Sequence, residues 1–114
     1  MEISKVEQIV KGWAASHAQI SKVWLFGSRV RGTHRPDSDL DVAVEIDSPY
    51  SEDELLGAWI RSSEELQSSL STLLPMVVQL EWYGGPEETS IIHDGIMESS
   101  ILVYETRGRD KPGA

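Results

Sequence analysis

The sequence predicts a mixed α/β (α+β) fold, a single small domain with helices packed on one face of a β-sheet. Two observations point there. The chain has 114 residues, enough to bury one core. Its apolar positions switch repeatedly between a period near 3.6 and a period of two. Residues 1–107 are expected to form the domain, with a disordered tail at 108–114.

The elements follow in order. Ile3, Val6, Val10 and Trp13 recur at helical spacing, with Ile9 and Ala14 beside them, so a helix is expected over 3–16. Val23-Trp24-Leu25-Phe26 is a short apolar run stopped by Gly27, the pattern of a buried strand. Leu40, Val42, Val44 and Ile46 alternate with Asp39, Asp41, Ala43 and Glu45, which predicts a second strand with one apolar face. Ser51 and Glu54 fit a capping box. Leu55, Leu56, Trp59, Ile60, Leu66, Leu70 and Leu73 continue from it as a helix that Leu74-Pro75 should end.

Met76, Val78, Leu80 and Trp82 then alternate with Val77, Gln79, Glu81 and Tyr83 in a third strand. Gly84-Gly85-Pro86 marks a turn, and Glu87 and Glu88 suit a helix N-terminus, so a helix is expected over about 87–98. Gly95 inside that helix costs roughly 1 kcal/mol relative to Ala. Ile101-Leu102-Val103-Tyr104 closes the chain as a short strand.

Composition excludes several classes. With 39% hydrophobic and 25% charged residues the chain reads as an ordinary globular domain. The absence of cysteine removes disulfide scaffolds, thiolate zinc sites and a cysteine nucleophile. No apolar run approaches the roughly 20 residues that span a bilayer, so no membrane association is expected. The first residues lack a charged-then-apolar leader, and a cytoplasmic location is the default expectation. The net charge of −9 argues against stable nucleic-acid binding. Against that acidic background Arg29, Arg31 and Arg35 cluster without an intervening acid, which suggests a local anion site. By itself such a cluster more often marks a solvated loop.

The chemistry concentrates in residues 25–41, Leu-Phe-Gly-Ser-Arg-Val-Arg-Gly-Thr-His-Arg-Pro-Asp-Ser-Asp-Leu-Asp. A strand runs into Gly27-Ser28, where the missing Cβ permits close backbone approach to a ligand and a helical turn can present free N–H groups to an anion. Asp39 and Asp41 sit two apart on a strand, so both carboxylates project from one face. Their mutual repulsion raises one pKa unless a cation intervenes. A carboxylate pair supplemented by substrate phosphates suits Mg²⁺. Ten residues separate Ser28 from Asp39, room for one helical turn and a loop. An isolated Asp-x-Asp is more often an exposed strand face, and an isolated Gly-Ser is more often a turn; the combination carries the signal.

That combination, with Arg31-Gly32 and Pro36-Asp37-Ser38-Asp39-Leu40-Asp41, resembles the signature of the DNA polymerase beta-like nucleotidyltransferase superfamily, and most closely its minimal nucleotidyltransferases (MNT proteins). The closing stretch Gly95–Glu105 is also similar, and the resemblance spans about residues 5–105. It implies the polymerase beta-like nucleotidyltransferase fold. It implies that Gly27 and Ser28 hold the β- and γ-phosphates of ATP or another nucleoside triphosphate. Asp39 and Asp41 would bind two Mg²⁺ ions, and a third carboxylate on the next strand would help bind a metal and deprotonate the acceptor. Glu81 takes that third place when counted back from Tyr104, where family members usually have Asp; Gln79 on the same face is the alternative, and would leave the site one acid short. Arg29, Arg31 and Arg35 are candidates for the triphosphate, Arg31 matching the motif best.

MNT proteins are typically paired with a helical HEPN toxin. The resemblance therefore implies an antitoxin that transfers AMP from ATP to a tyrosine hydroxyl of its partner. An antitoxin that is catalytically idle and acts by contact alone is the second expectation, and antibiotic adenylylation a weaker third. A homo- or hetero-oligomer is compatible with any of these. His34 is read as a loop surface residue, and His17 and His93 as helix-surface residues without a partner. The four tryptophans, Trp13, Trp24, Trp59 and Trp82, are read as core or interface packing.

Overall fold

The structure is a computed structural model that describes residues 2–33, 35, 38–46 and 52–106, with side chains described throughout except at 52–56 and 58. The Ser51/Glu54 capping box, His34, Pro36-Asp37 and the tail at 108–114 lie outside the described residues. The elements are α1 (Ile3–Ala15), β1 (Ile20–Phe26), α2 (Ser28–Arg31), β2 (Leu40–Ile46), α3 (Glu52–Ser71), β3 (Val78–Trp82), α4 (Ser90–Glu98) and β4 (Ser100–Glu105). They make one four-stranded sheet in the order β3-β2-β1-β4.

β1 runs antiparallel to both β2 and β4, whereas β2 and β3 are parallel. A parallel pair cannot be joined by a tight turn, and α3 supplies the crossover. The core lies on one face of the sheet. Val6, Val10, Trp13 and Ala14 of α1 and Leu66 and Leu70 of α3 bury against Val23, Leu25, Leu40, Val42, Val44, Val78 and Val103. The Trp13 indole Nε1–H donates to Ser69 Oγ at 2.9 Å and ties α1 to α3.

α1 and α3 share one face, as expected, but α4 lies on the other. There Phe26, Ala43 and Ile96 form a second small cluster, with Trp24, Tyr83 and Ile92 packed around it. β1 explains this: its run of consecutive apolar residues sends Val23 and Leu25 to one face and Trp24 and Phe26 to the other, so both faces need cover. Gly95 makes the close approach possible. A Cβ there would lie 3.0 Å from the Phe26 ring, so the glycine unfavourable for helix formation is the one that seats α4 on the sheet.

Several element boundaries differ from the sequence expectation by a few residues, three of them for a visible reason. β1 begins at Ile20, because Ser21 is buried by donating its hydroxyl to the Glu45 carbonyl at 3.0 Å. α3 ends at Ser71, and its buried register is Leu66-Leu70, continued by Leu74 beyond its end, leaving Leu73 half exposed. α4 begins at Ser90 because Thr89 closes a turn first. Its hydroxyl donates to the Gly85 carbonyl at 2.8 Å and accepts from the Gly84 N–H at 3.1 Å. His17 falls just beyond α1, with Nδ1 2.9 Å from the Trp13 carbonyl.

β3 is an edge strand, and α3 guards it. The Gln67 side-chain amide donates to the Val78 carbonyl and accepts from the Leu80 N–H at 3.0 Å, on the side of β3 away from β2.

Candidate active site

The site begins where β1 ends. Gly27 has φ 83° and ψ −161°, a region essentially reserved for glycine. The chain then makes the single helical turn α2, in which Val30 and Arg31 donate their N–H groups to the Gly27 carbonyl at 3.1 Å. Val30 anchors the turn in the main core. Gly32, left-handed at φ 79°, stops the turn, and the Thr33 N–H donates to the Ser28 carbonyl at 3.0 Å.

β2 delivers the acids. Leu40 and Val42 are fully buried in the main core, so Asp39 and Asp41 are turned to the opposite face. Phe26 pairs with Asp41 across the β1–β2 ladder, which sets Asp41 beside Gly27. The contact is intimate: a Cβ on Gly27 would collide with Asp41 Oδ2. The Gly-Ser corner and the Asp-x-Asp pair, separate in sequence, therefore form one site.

β3 adds two polar side chains to the same face. Gln79 pairs with Asp41 in the parallel register, and its amide donates to Asp39 Oδ2 at 3.3 Å. Glu81 is one step further along, opposite Ala43. Burial raises the Asp41 pKa above its ordinary 3.8; the Asp39 charge raises it further, and Arg31 pulls it back. Burial also raises the Glu81 pKa above its ordinary 4.5, and the Asp41 charge adds to this. Glu81 thus belongs to the same electrostatic group as Asp41, whereas Gln79 holds Asp39. Gln79 reaches the site by a hydrogen bond, Glu81 through its charge. Among the described residues no three His, Asp or Glu side chains converge into a ready metal-binding group.

Two half-buried carboxylates whose repulsion is only partly offset favour a hard cation, and oxygen donors in pairs match what Mg²⁺ accepts. Basic residues flank them. Arg29 Nε donates to the Ser38 carbonyl at 3.0 Å, fastening α2 to the segment that leads into Asp39. Arg31 lies close enough to Asp41 to act on its charge and makes an ion pair with Glu98 of α4 at 3.4 Å. Arg35 is fixed through its main chain: its N–H donates to Ser38 Oγ at 2.8 Å, and its side chain is exposed.

Sequence reasoning missed two features. His93, read as lacking a partner, has Nδ1 2.8 Å from the Tyr83 hydroxyl, and the two rings stack. Tyr83 in turn meets Trp24 edge-on, so α4 is pinned to the site face by aromatic contacts as well as by Ile96. The second is the Glu98–Arg31 pair, for which no spacing rule exists.

This arrangement, a glycine corner abutting a strand-borne Asp pair on a mixed sheet, defines a nucleotidyltransferase fold. Residues 3–88 match the nucleotidyltransferase domain family, and the chain belongs to that family. The matched span includes Gly27, Ser28, Asp39, Asp41 and Glu81, and ends before α4. Among solved structures the chain is similar to a toxin–antitoxin with AMP-PNP, at 18% identity and TM-score 0.66 over 93% of this chain and 78% of that one. It is also similar to two mutant forms of the toxin–antitoxin MntA-HpeT. One has 16% identity and TM-score 0.63, covering 98% of this chain and 80% of that one. The other has 18% identity and TM-score 0.56, covering 98% and 79%. No curated protein matches the sequence. Among the described residues no helix is long and apolar enough to cross a membrane.

Proposed function

We propose that this chain is a Mg²⁺-dependent nucleotidyltransferase antitoxin that transfers AMP from ATP to a tyrosine hydroxyl on a HEPN-type toxin. The observation that carries the reading is the Asp41 carboxylate lying against Gly27, on the same face as Asp39. Nucleotidyl transfer needs a corner that grips phosphates and a pair that binds a cation, and Gly27 with the Asp39–Asp41 pair beside it would fill both roles. Family membership supports the reaction class, and the toxin–antitoxin neighbours support the setting.

In this reading Gly27 and Ser28 hold the β- and γ-phosphates, with Arg31 and Arg29 at their flank. Asp39 and Asp41 would hold Mg²⁺, with Glu81 as the third carboxylate. When bound, the metal supplies charge neutralisation for the triphosphate and lowers the pKa of the acceptor hydroxyl. The acceptor oxygen attacks the α-phosphorus in line, the bond from the α-phosphorus to the bridging oxygen breaks, and pyrophosphate leaves with that electron pair. Glu81 takes the hydroxyl proton, a role that its raised pKa suits.

A second reading, neutralisation by contact alone, is favoured by one specific observation: the residue opposite Asp41 in the register is Gln79, which carries no charge. The experiment incubates the protein with α-labelled ATP, Mg²⁺ and the toxin encoded beside it. Label on the toxin, lost in Asp39→Ala and Asp41→Ala, is the expected result. Full neutralisation of the toxin by Asp39→Ala, without label, would replace this reading with the second.

A further inference from the structure

Arg31 is coupled to two carboxylates. Its N–H is bonded to the carbonyl of Gly27, against which Asp41 lies, and its charge acts on Asp41; its guanidinium pairs with Glu98, at the last position of α4. Among the described residues the guanidinium makes an ion pair with Glu98 and none with Asp41. A guanidinium is a planar fork that matches a carboxylate in two-point geometry. Such a fork, free to swing beside an Asp pair, competes with a divalent cation for the same carboxylate.

The placement of Glu98 is not accidental to the packing. Gly95 rests on the Phe26 ring, and Ile96 buries beside it. Three residues after Gly95, Glu98 emerges on a neighbouring part of the same helix surface. Phe26 is the residue paired with Asp41 and the one preceding Gly27. The seat of α4 is therefore referenced directly to the site, and the 3.4 Å pair with Arg31 is its outermost point.

We infer that Glu98 is a positioning residue which holds the Arg31 guanidinium off Asp41, keeping that carboxylate open to a divalent cation and leaving the guanidinium turned toward an anionic substrate. The inference rests on the proposed metal role of Asp39 and Asp41. It extends that role to α4, an element beyond the span that matches the family. The alternative way for Glu98 to aid a cation is simple attraction at a distance, and the two are separable. Attraction does not depend on Arg31; positioning does.

The test is binding of Mn²⁺ to the full chain, followed by the decrease of the free-ion electron paramagnetic resonance signal, without a toxin and without turnover. Glu98→Gln is expected to weaken Mn²⁺ binding about threefold to tenfold in the native background, and to leave it unchanged in an Arg31→Ala background. Glu98→Asp should restore part of the binding. Circular dichroism melts establish that each variant is folded. If Glu98→Gln has no effect, or weakens binding equally with and without Arg31, the inference is overturned while the metal role stands. If the native chain binds no Mn²⁺, or binds it unchanged after Asp39→Ala and Asp41→Ala, the metal role itself fails and the inference falls with it.

Discussion

Gly27→Ala puts the closest contact of the site under strain, and its cost can be divided into two parts. The first is conformational. At φ 83° and ψ −161° a side chain is out of place, and such a backbone costs about 1–3 kcal/mol for a residue other than glycine. The second is steric, because the new methyl collides with Asp41 Oδ2. The carboxylate must turn away from the corner, and its neighbours must shift with it. For residues in direct contact, coupling of about 0.5–3 kcal/mol is usual. The two ranges sum to about 1.5–6 kcal/mol, against about 5–15 kcal/mol for the stability of a typical small domain, so the variant should fold over most of that range.

Urea denaturation measures it: with a slope of about 2 kcal/mol per molar, the midpoint should fall by about 0.8–3 M. Asp41→Ala in the same chain removes the colliding oxygen but keeps the strained backbone. The double variant should therefore be more stable than the two single effects summed, by about the coupling term. Strict additivity, or a Gly27→Ala midpoint equal to that of the native chain, would refute the account of the corner.

Other outcomes follow from the same geometry. Burial and Asp39 raise the Asp41 pKa in the folded state above 3.8, so the folded protein holds that proton more tightly than the unfolded chain does. The stability from this group is complete below 3.8 and is lost as pH rises through the higher folded value. Asp41→Asn should raise the melting temperature at pH 7, and melts repeated down to about pH 3.5 should show the gain shrinking. Glu81→Gln should reduce AMP transfer by roughly a hundredfold if Glu81 is the proton acceptor. Adding Gln79→Asp to that variant should not restore the rate, and a labelled-ATP assay in which it did would move the third carboxylate to position 79. Gly95→Ala gains roughly 1 kcal/mol of helix propensity but presses a methyl to 3.0 Å from the Phe26 ring. A net loss of stability is expected on thermal melting, relieved in part by Phe26→Leu.

The corner and the acid pair were legible in the sequence because local rules set them. Alternation on β2 fixes the face of Asp39 and Asp41, and an apolar run ending in Gly-Ser marks the end of β1. The ten-residue spacing suggested that the two meet at one edge of the sheet, but the contact itself depends on the ladder that pairs Phe26 with Asp41. α4 was placed on the wrong face. Its own apolar residues do not reveal which side of the sheet they meet, and the deciding residues, Trp24 and Phe26, belong to β1. The Glu98–Arg31 ion pair was hidden for the same reason: α2 and α4 are distant in the chain, and no periodicity within either helix encodes their approach. The resemblance offered Glu81 and Gln79 as alternatives for the third place, and strand parity showed that they share a face. What parity does not encode is their division of labour, Gln79 bonding to Asp39 while Glu81 answers to the charge of Asp41.

Gln67 has a consequence for how this molecule behaves in a crowded solution. Its amide works as a fragment of a fifth strand, two hydrogen bonds long, spliced onto the outermost rung of the ladder. A foreign β-segment approaching from that side finds the Val78 and Leu80 backbone groups already taken, so templated growth of the sheet into aggregates is discouraged beside the strand that carries Glu81. A single uncharged side chain thus caps one rim of the sheet, while the opposite rim, β4, has no such amide cap among the described residues.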